Sequence, residues 1–143
     1  MISFTVFALA MVGCAKKPSD ILGKIQKAAN SENPDDMKKY YTKQTILALE
    51  EFKKMLPDNK LKPDNRFAEG ASWSVVTEKI YTDTASVTIT YNNHPDSKMK
   101  KTEVFFKMKK EGEDWKLDLE HEINFGIFLL KGKGNRLLDD SNN

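Results

Sequence analysis

The chain of 143 residues has few of the side chains that build common metal and redox centres, with one cysteine and two histidines. One cysteine forms no intramolecular disulfide, and together with two histidines it does not supply the usual four ligands of a structural zinc site. Neither sign of charge dominates, because 23 Lys and Arg residues stand against 21 Asp and Glu residues. The sequence therefore predicts no metal, no cofactor and no nucleic-acid partner.

Long hydrophobic runs are also absent. The longest apolar segment covers residues 2–12 and is interrupted by Ser3 and Thr5. As a helix it would span about half of a bilayer's hydrocarbon core, which is too short for a transmembrane segment but typical of a signal-peptide core. The alternative is an ordinary buried N-terminal strand that carries a core cysteine.

The only cysteine directly follows this apolar segment, in the sequence Met11-Val12-Gly13-Cys14. This tetrapeptide resembles the lipobox of bacterial lipoproteins. The resemblance implies cleavage before Cys14, a diacylglycerol on its thiol and an acyl chain such as palmitate on its new amine. Residues 1–13 would then be the signal peptide and residues 14–18 a lipidated tether. No aspartate follows Cys14, which implies the outer membrane facing the periplasm in a bacterium with two membranes.

The first half of the mature chain has helical periodicity. Ser19 is the predicted cap of a first helix, and Asn33 with Pro34 begins a short second one. Thr42 or Thr45 begins a third, which ends before Pro57. Residues 57–70 contain two prolines, two asparagines and a glycine and are predicted to form a loop.

From Ala71 onward the periodicity changes to two, which is typical of strands. Segments 73–81 and 85–91 are predicted to form a hairpin, followed by strands at 99–109 and from Trp115 through Leu129. Residues 131–143 are predicted to form a flexible tail. The expected fold is therefore α+β, with three N-terminal helices packed on a curved four-stranded antiparallel meander sheet in a single domain, residues 19–130.

This order of elements, with a strand that starts at Gly112-Glu113-Asp114-Trp115-Lys116-Leu117, resembles small bacterial lipoproteins of the nuclear transport factor 2-like group. The resemblance implies a cystatin-like α+β roll whose sheet curves around a cavity closed by the helices. Many members of the group have no assigned function, and no catalytic motif comes with the resemblance.

Such a roll would place aromatic side chains around the cavity. The predicted ligand-binding residues are Tyr40, Tyr41, Trp73, Tyr91 and His121. His121 is the one histidine on the apolar stripe 115–129 and is therefore the candidate general base of an isomerase- or dehydratase-type enzyme. A histidine there is equally compatible with a structural position, since no carboxylate of matching register lies nearby to orient it.

Two further patterns have both a functional and a structural explanation. His94 lies in a polar turn with Asp96, where a metal site and plain turn composition are both possible. The third predicted strand is rich in lysine, which fits either contact with anionic headgroups or a solvated strand face. Its lysines are Lys98, Lys100, Lys101, Lys107, Lys109 and Lys110.

Three hypotheses for function follow. The first is a lipid-anchored, non-catalytic envelope domain that binds a small apolar ligand or an envelope protein. The second is an enzyme that uses His121 as its base. The third is a structural or assembly role in which the hydrophobic segment 123–130 contacts a partner.

Overall fold

The computed structural model describes the backbone of residues 16–140 and the side chains of residues 16–133. Two α-helices and two 3-10 helices come first, then a sheet, then a third α-helix. The α-helices are α1 (Pro18–Ala29), α2 (Lys43–Lys54) and α3 (Glu120–Asp140). The longest 3-10 helix, called the 3-10 helix below, is Pro34–Tyr40, and two single turns lie at Asn65–Phe67 and Ser97–Met99. The signal peptide predicted at residues 1–13 and Cys14 lie outside the described residues.

Four strands form one antiparallel sheet in the order β1-β2-β3-β4. They are β1 (Ser72–Ile80), β2 (Thr84–Asn93), β3 (Glu103–Glu111) and β4 (Asp114–Leu117). The predicted α+β class and the antiparallel meander are therefore confirmed. Gly112 makes the tight β3–β4 turn with a φ of 62°, a conformation that glycine adopts without the steric cost of a side chain.

The core lies between α1 and one face of this sheet. Ile21, Leu22 and Ile25 of α1 recur at helical spacing and are buried against the sheet. The sheet contributes every second residue of its inner strands, as period-two alternation requires. These buried strand residues are Ala85, Val87, Ile89, Tyr91, Phe106, Met108, Trp115 and Leu117.

The prediction that the fourth strand continues through Leu129 is wrong. The strand β4 ends at Leu117, and α3 begins at Glu120 and extends to Asp140, so a helix also replaces the predicted tail at 131–140. The Thr45 hydroxyl accepts a hydrogen bond from the Leu119 amide at 2.9 Å, which fixes the turn from the sheet into α3. The helices are consequently not all N-terminal.

The predicted caps have two different outcomes. Thr42 caps α2, because its side-chain oxygen accepts a hydrogen bond from the Thr45 amide. Ser19 does not cap α1, which begins at Pro18 after Lys17. The amide and hydroxyl of Ser19 instead donate to the carboxylate of Glu78 on β1, at 3.0 and 3.2 Å. The Glu78 carboxylate thus accepts from a free amide in the first turn of α1. A local capping pattern does not indicate a partner so distant in the chain.

Candidate functional site

An open cavity of about 810 Å³ lies where the end of α1, the 3-10 helix, α2, the loop before β1 and α3 meet. This volume falls within the range of small-molecule sites, about 300–1,000 Å³. Much of the lining consists of apolar side chains that these segments contribute. The larger ones include Met37, Leu49, Phe52, Leu61, Phe67 and Ile123.

The loop that forms one wall is held by Tyr91 of β2 and by His94, which directly follows that strand. The Tyr91 hydroxyl donates to the carbonyl oxygen of Arg66 at 2.6 Å. The His94 ring accepts from the Asp96 amide at Nδ1, so Nε2 carries the proton and donates to the carbonyl oxygen of Asn65 at 2.8 Å. Both contacts satisfy loop carbonyls that the sheet does not pair.

Side chains of α1 hold the same loop from the other side. Asn30 donates from Nδ2 to the carbonyl oxygen of Phe67 at 3.0 Å. Gln26 donates from Nε2 to the carbonyl oxygens of Ala68 and Ala71. The wall is therefore fixed by side chains of two different elements, and the cavity is largely formed before any ligand enters.

A charged cluster crosses one side of the cavity. Arg66 donates to both carboxylate oxygens of Asp64, with Nη2 at 2.8 Å from Oδ2, and reaches Glu122 on α3 at 3.3 Å. Burial lowers the pKa of Arg66, but the hydrogen bonds and charge of Asp64, with the charge of Glu122, raise it above its ordinary value. The guanidinium also lies over the ring of Phe106, 5.3 Å from its centroid. Arg66 is thus a fixed cation that ties the loop to α3.

Tyr41 is the one predicted ligand-binding residue that lines the cavity. Burial, followed by the negative charge of Asp64, raises the pKa of its phenol to about 12, although Arg66 acts in the opposite direction. The hydroxyl is therefore neutral at physiological pH, and its nearest partner is the Met37 sulfur at 3.8 Å. Such a group can donate a hydrogen bond to a ligand.

Trp73 and Tyr91 do not line the cavity. Both pack behind the loop, where the Trp73 ring meets those of Tyr91 and Phe67 edge-on at centroid distances of 6.2 and 6.3 Å. Tyr40 is half-buried beside Lys39 and also lies outside the lining. Tyr40, Trp73 and Tyr91 therefore lie outside the lining of this cavity, and Phe67 covers the sheet face on which Trp73 and Tyr91 lie.

The candidate base His121 is exposed on the first turn of α3 and does not contribute to the cavity. Period-two spacing predicted a strand at this position, whereas α3 turns His121 to the solvent. The role of His121 as a general base stays a prediction.

His94 is unsuited to the metal site that its turn suggested. It is buried and both ring nitrogens already have protein partners. Among the side chains of residues 16–133, no group of three or more His, Cys, Asp or Glu converges as a metal site would. His94 is a loop anchor in this fold.

The lysines of the third predicted strand are divided between β3 and the connection that precedes it. Lys107 faces the solvent and pairs with Asp118 at 3.3 Å, while Lys110 lies 5.2 Å from the centroid of the Trp115 ring. Three others, Lys98, Lys100 and Lys101, lie before β3, in the connection from β2. Because the charges are dispersed and partly paired, the solvated-face explanation fits the structure better.

Comparisons with family models, with curated proteins and with solved structures found no match to this chain. None of the helices in the described part of the chain combines the length and apolarity that crossing a membrane requires.

Sequence reasoning missed the polar residues that shape this cavity. Asp64, Arg66 and Glu122 come from a loop and a helix that are far apart in the chain. The Asp-Asn-Arg order was a usable signal, because an aspartate often accepts from the amide two residues later, as Asp64 does from Arg66. Nothing local indicated that Gln26 and Asn30 would hold the loop.

Proposed function

We propose that this chain is a lipid-anchored cell-envelope domain that binds a small ligand with an apolar body in the cavity beside Tyr41 and Arg66. The observation that carries the proposal is the cavity of about 810 Å³, whose loop wall is held in place by Asn30 at the end of α1, Tyr91 of β2 and His94 just after β2. A fixed wall lowers the entropic cost of binding, because less of the protein must be ordered by the ligand.

The lining favours a ligand with one apolar and one polar part. Leu49, Phe52 and Ile123 offer a surface for an apolar body. The neutral Tyr41 hydroxyl and the Arg66 guanidinium offer donors to an oxygen-bearing end. Because Asp64 and Glu122 already accompany Arg66, a neutral polar end fits this side better than a strongly anionic one.

The element order supports a relationship to the nuclear transport factor 2-like rolls. Helices precede a four-stranded antiparallel meander, and the cavity opens between the helices and the loop before β1. The long C-terminal α3 is an addition to the order that the sequence predicted. The roll assignment is therefore part of the proposal.

A cavity-filling substitution tests the binding site. Gly126 lies on the cavity side of α3, and a Cβ there would meet only Phe52, at 3.6 Å. We expect Gly126→Leu to lower affinity for the neutral fluorescent probe N-phenyl-1-naphthylamine at least tenfold, because the new side chain occupies the site. The measurement is a fluorescence titration. A leucine also raises helix propensity by about 0.8–1 kcal/mol relative to glycine, so unfolding is not expected.

Gly23→Leu is the matched control, because Gly23 is an exposed helical glycine of α1 with no atom near its Cβ position. This variant should bind the probe as the unaltered chain does. Equal probe affinity in the unaltered chain and the Gly126→Leu variant would exclude the cavity as the binding site.

The anchor is tested separately at Cys14. We expect Cys14→Ser to abolish acyl labelling and to release the chain from the membrane, because serine offers no thiol for the diacylglycerol. Fractionation of source cells into membrane and soluble pools, with metabolic labelling by radioactive palmitate, measures both effects. Unchanged membrane association with no acyl label in the original chain would refute lipid anchoring while leaving the cavity proposal intact.

A structural or assembly role is the second candidate, and one observation favours it. Phe125, Phe128 and Leu129 lie within the segment 123–130 and are largely exposed on α3. Exposed aromatic side chains on one helix are typical of interaction sites.

A further inference from the structure

We propose that α3 pairs with α3 of a second copy of this chain, antiparallel and across a two-fold axis near residue 128. The contact surface is the α3 stripe, defined as Phe125, Phe128 and Leu129. Their exposed fractions are 57%, 69% and 47%. The pairing does not require a ligand in the cavity, although Glu122, which flanks the stripe, also lines that cavity.

The helix has a second apolar side that is already covered. Ile123 packs on the core and Ile127 is buried against the domain. At about 100° per residue, Phe125, Phe128 and Leu129 span roughly a quarter of the helix circumference, on the side opposite Ile123 and Ile127. A helix with two apolar sides needs a partner against each side, and the domain itself covers only the side of Ile123 and Ile127.

The charges beside the stripe identify the partner. Glu122 and Lys133 are about three helical turns apart, so they flank the same side of the α3 stripe, one before it and one after it. An antiparallel two-fold arrangement brings Glu122 of one copy level with Lys133 of the other, twice per dimer. A parallel two-fold arrangement would place this flank of the two copies on opposite sides of the interface, so neither attraction would form. An anionic bilayer fits less well, because it would attract Lys133 and repel Glu122.

The apolar side chains fit the same arrangement. Phe128 lies beside the two-fold axis, and Phe125 of each copy packs near Leu129 of the other. Gly132 lies further along the stripe and leaves room for the opposing side chains. The Glu122 side chain remains 56% exposed although one oxygen contacts Arg66, so the carboxylate can also accept from a second cation. Such an isologous contact closes as a dimer.

Site-specific photo-crosslinking of the full chain in the envelope tests this pairing. Two differently tagged copies are produced together, each with a photoreactive phenylalanine analogue at position 128. We expect an adduct that carries both tags. The same analogue at Phe105, which is 60% exposed on the solvent face of β3, is the matched control and should give no such adduct.

Charge variants then test the orientation. Lys133→Glu in both copies replaces two attractions by two repulsions and should lower the yield of the two-tag adduct about tenfold. Glu122→Lys in both copies should do the same, and one copy of each variant together should restore the yield. Because Glu122 also contacts Arg66, thermal unfolding of that variant checks its fold, while Lys133→Glu affects an exposed side chain alone.

Several results would overturn the pairing. They are the absence of a two-tag adduct at position 128, an equal yield at position 105, and a yield that Lys133→Glu leaves unchanged. Crosslinking of position 128 to lipid alone, or to a different protein alone, would assign the α3 stripe to that partner instead.

Discussion

Replacing Phe106 by alanine is expected to lower the free energy of unfolding by about 3–5 kcal/mol. Phe106 is almost completely buried at the centre of the sheet, and its ring lies 5.6 Å from that of Phe67. The substitution removes most of an aromatic side chain from a packed site that no neighbour can fill. It also removes the ring on which the Arg66 guanidinium lies. Urea denaturation followed by circular dichroism measures the loss.

The adjacent residue provides the control for Phe106. Phe105 has the same side chain on the same strand, but it faces the solvent. We expect Phe105→Ala to change the free energy of unfolding by no more than about 0.5 kcal/mol. Equal losses for the two variants would mean that the sheet faces are not oriented as described.

Replacing Thr45 by valine is expected to cost about 1–3 kcal/mol, although the two side chains have nearly the same shape. The completely buried Thr45 hydroxyl accepts from the Leu119 amide at 2.9 Å and from the Thr42 hydroxyl at 2.7 Å. Valine leaves both donors buried without their partner. Thermal unfolding and hydrogen exchange at the Leu119 amide measure the effect.

The exposed Thr77 on β1 is the control for Thr45, since a valine there leaves no buried donor without a partner. Its substitution should leave stability within about 0.5 kcal/mol. A Thr45→Val variant as stable as the original chain, with no faster exchange at Leu119, would contradict the described junction between β4 and α3.

The antiparallel sheet could be predicted from the sequence because its inner strands have one buried face. Val87, Ile89 and Tyr91 alternate with polar residues, and so do Phe106 and Met108. The pattern of α1 is equally direct, since Ile21, Leu22 and Ile25 form one helical face. Each of these elements has one apolar side, so its apolar residues recur with the single period of a helix or a strand.

The C-terminal helix could not be predicted in this way, because it is apolar on two sides. Ile123 and Ile127 face the domain, whereas Phe125 and Leu129 face outward. Together these four residues occupy alternate positions and imitate a continuation of β4. Phe125 and Leu129 of the α3 stripe therefore account for the incorrect strand prediction. The same stripe is the surface proposed for pairing.

The cavity was harder to predict than the fold because distant segments form it. Tyr41, Arg66 and Ile123 come from three parts of the chain that only the folded structure brings together. The aromatic residues Trp73 and Tyr91 had the expected chemistry, but Phe67 covers them. Periodicity indicates which face of a strand is buried, whereas it does not indicate what buries that face.

Native mass spectrometry of the full chain extracted from its source membrane tests the central claim most directly, that the cavity holds a small ligand. The account predicts a small molecule bound to the original chain and to the Gly23→Leu control, and its loss in the Gly126→Leu variant. A ligand-free mass for each of the three chains, or the same bound molecule in the Gly126→Leu variant, would contradict it.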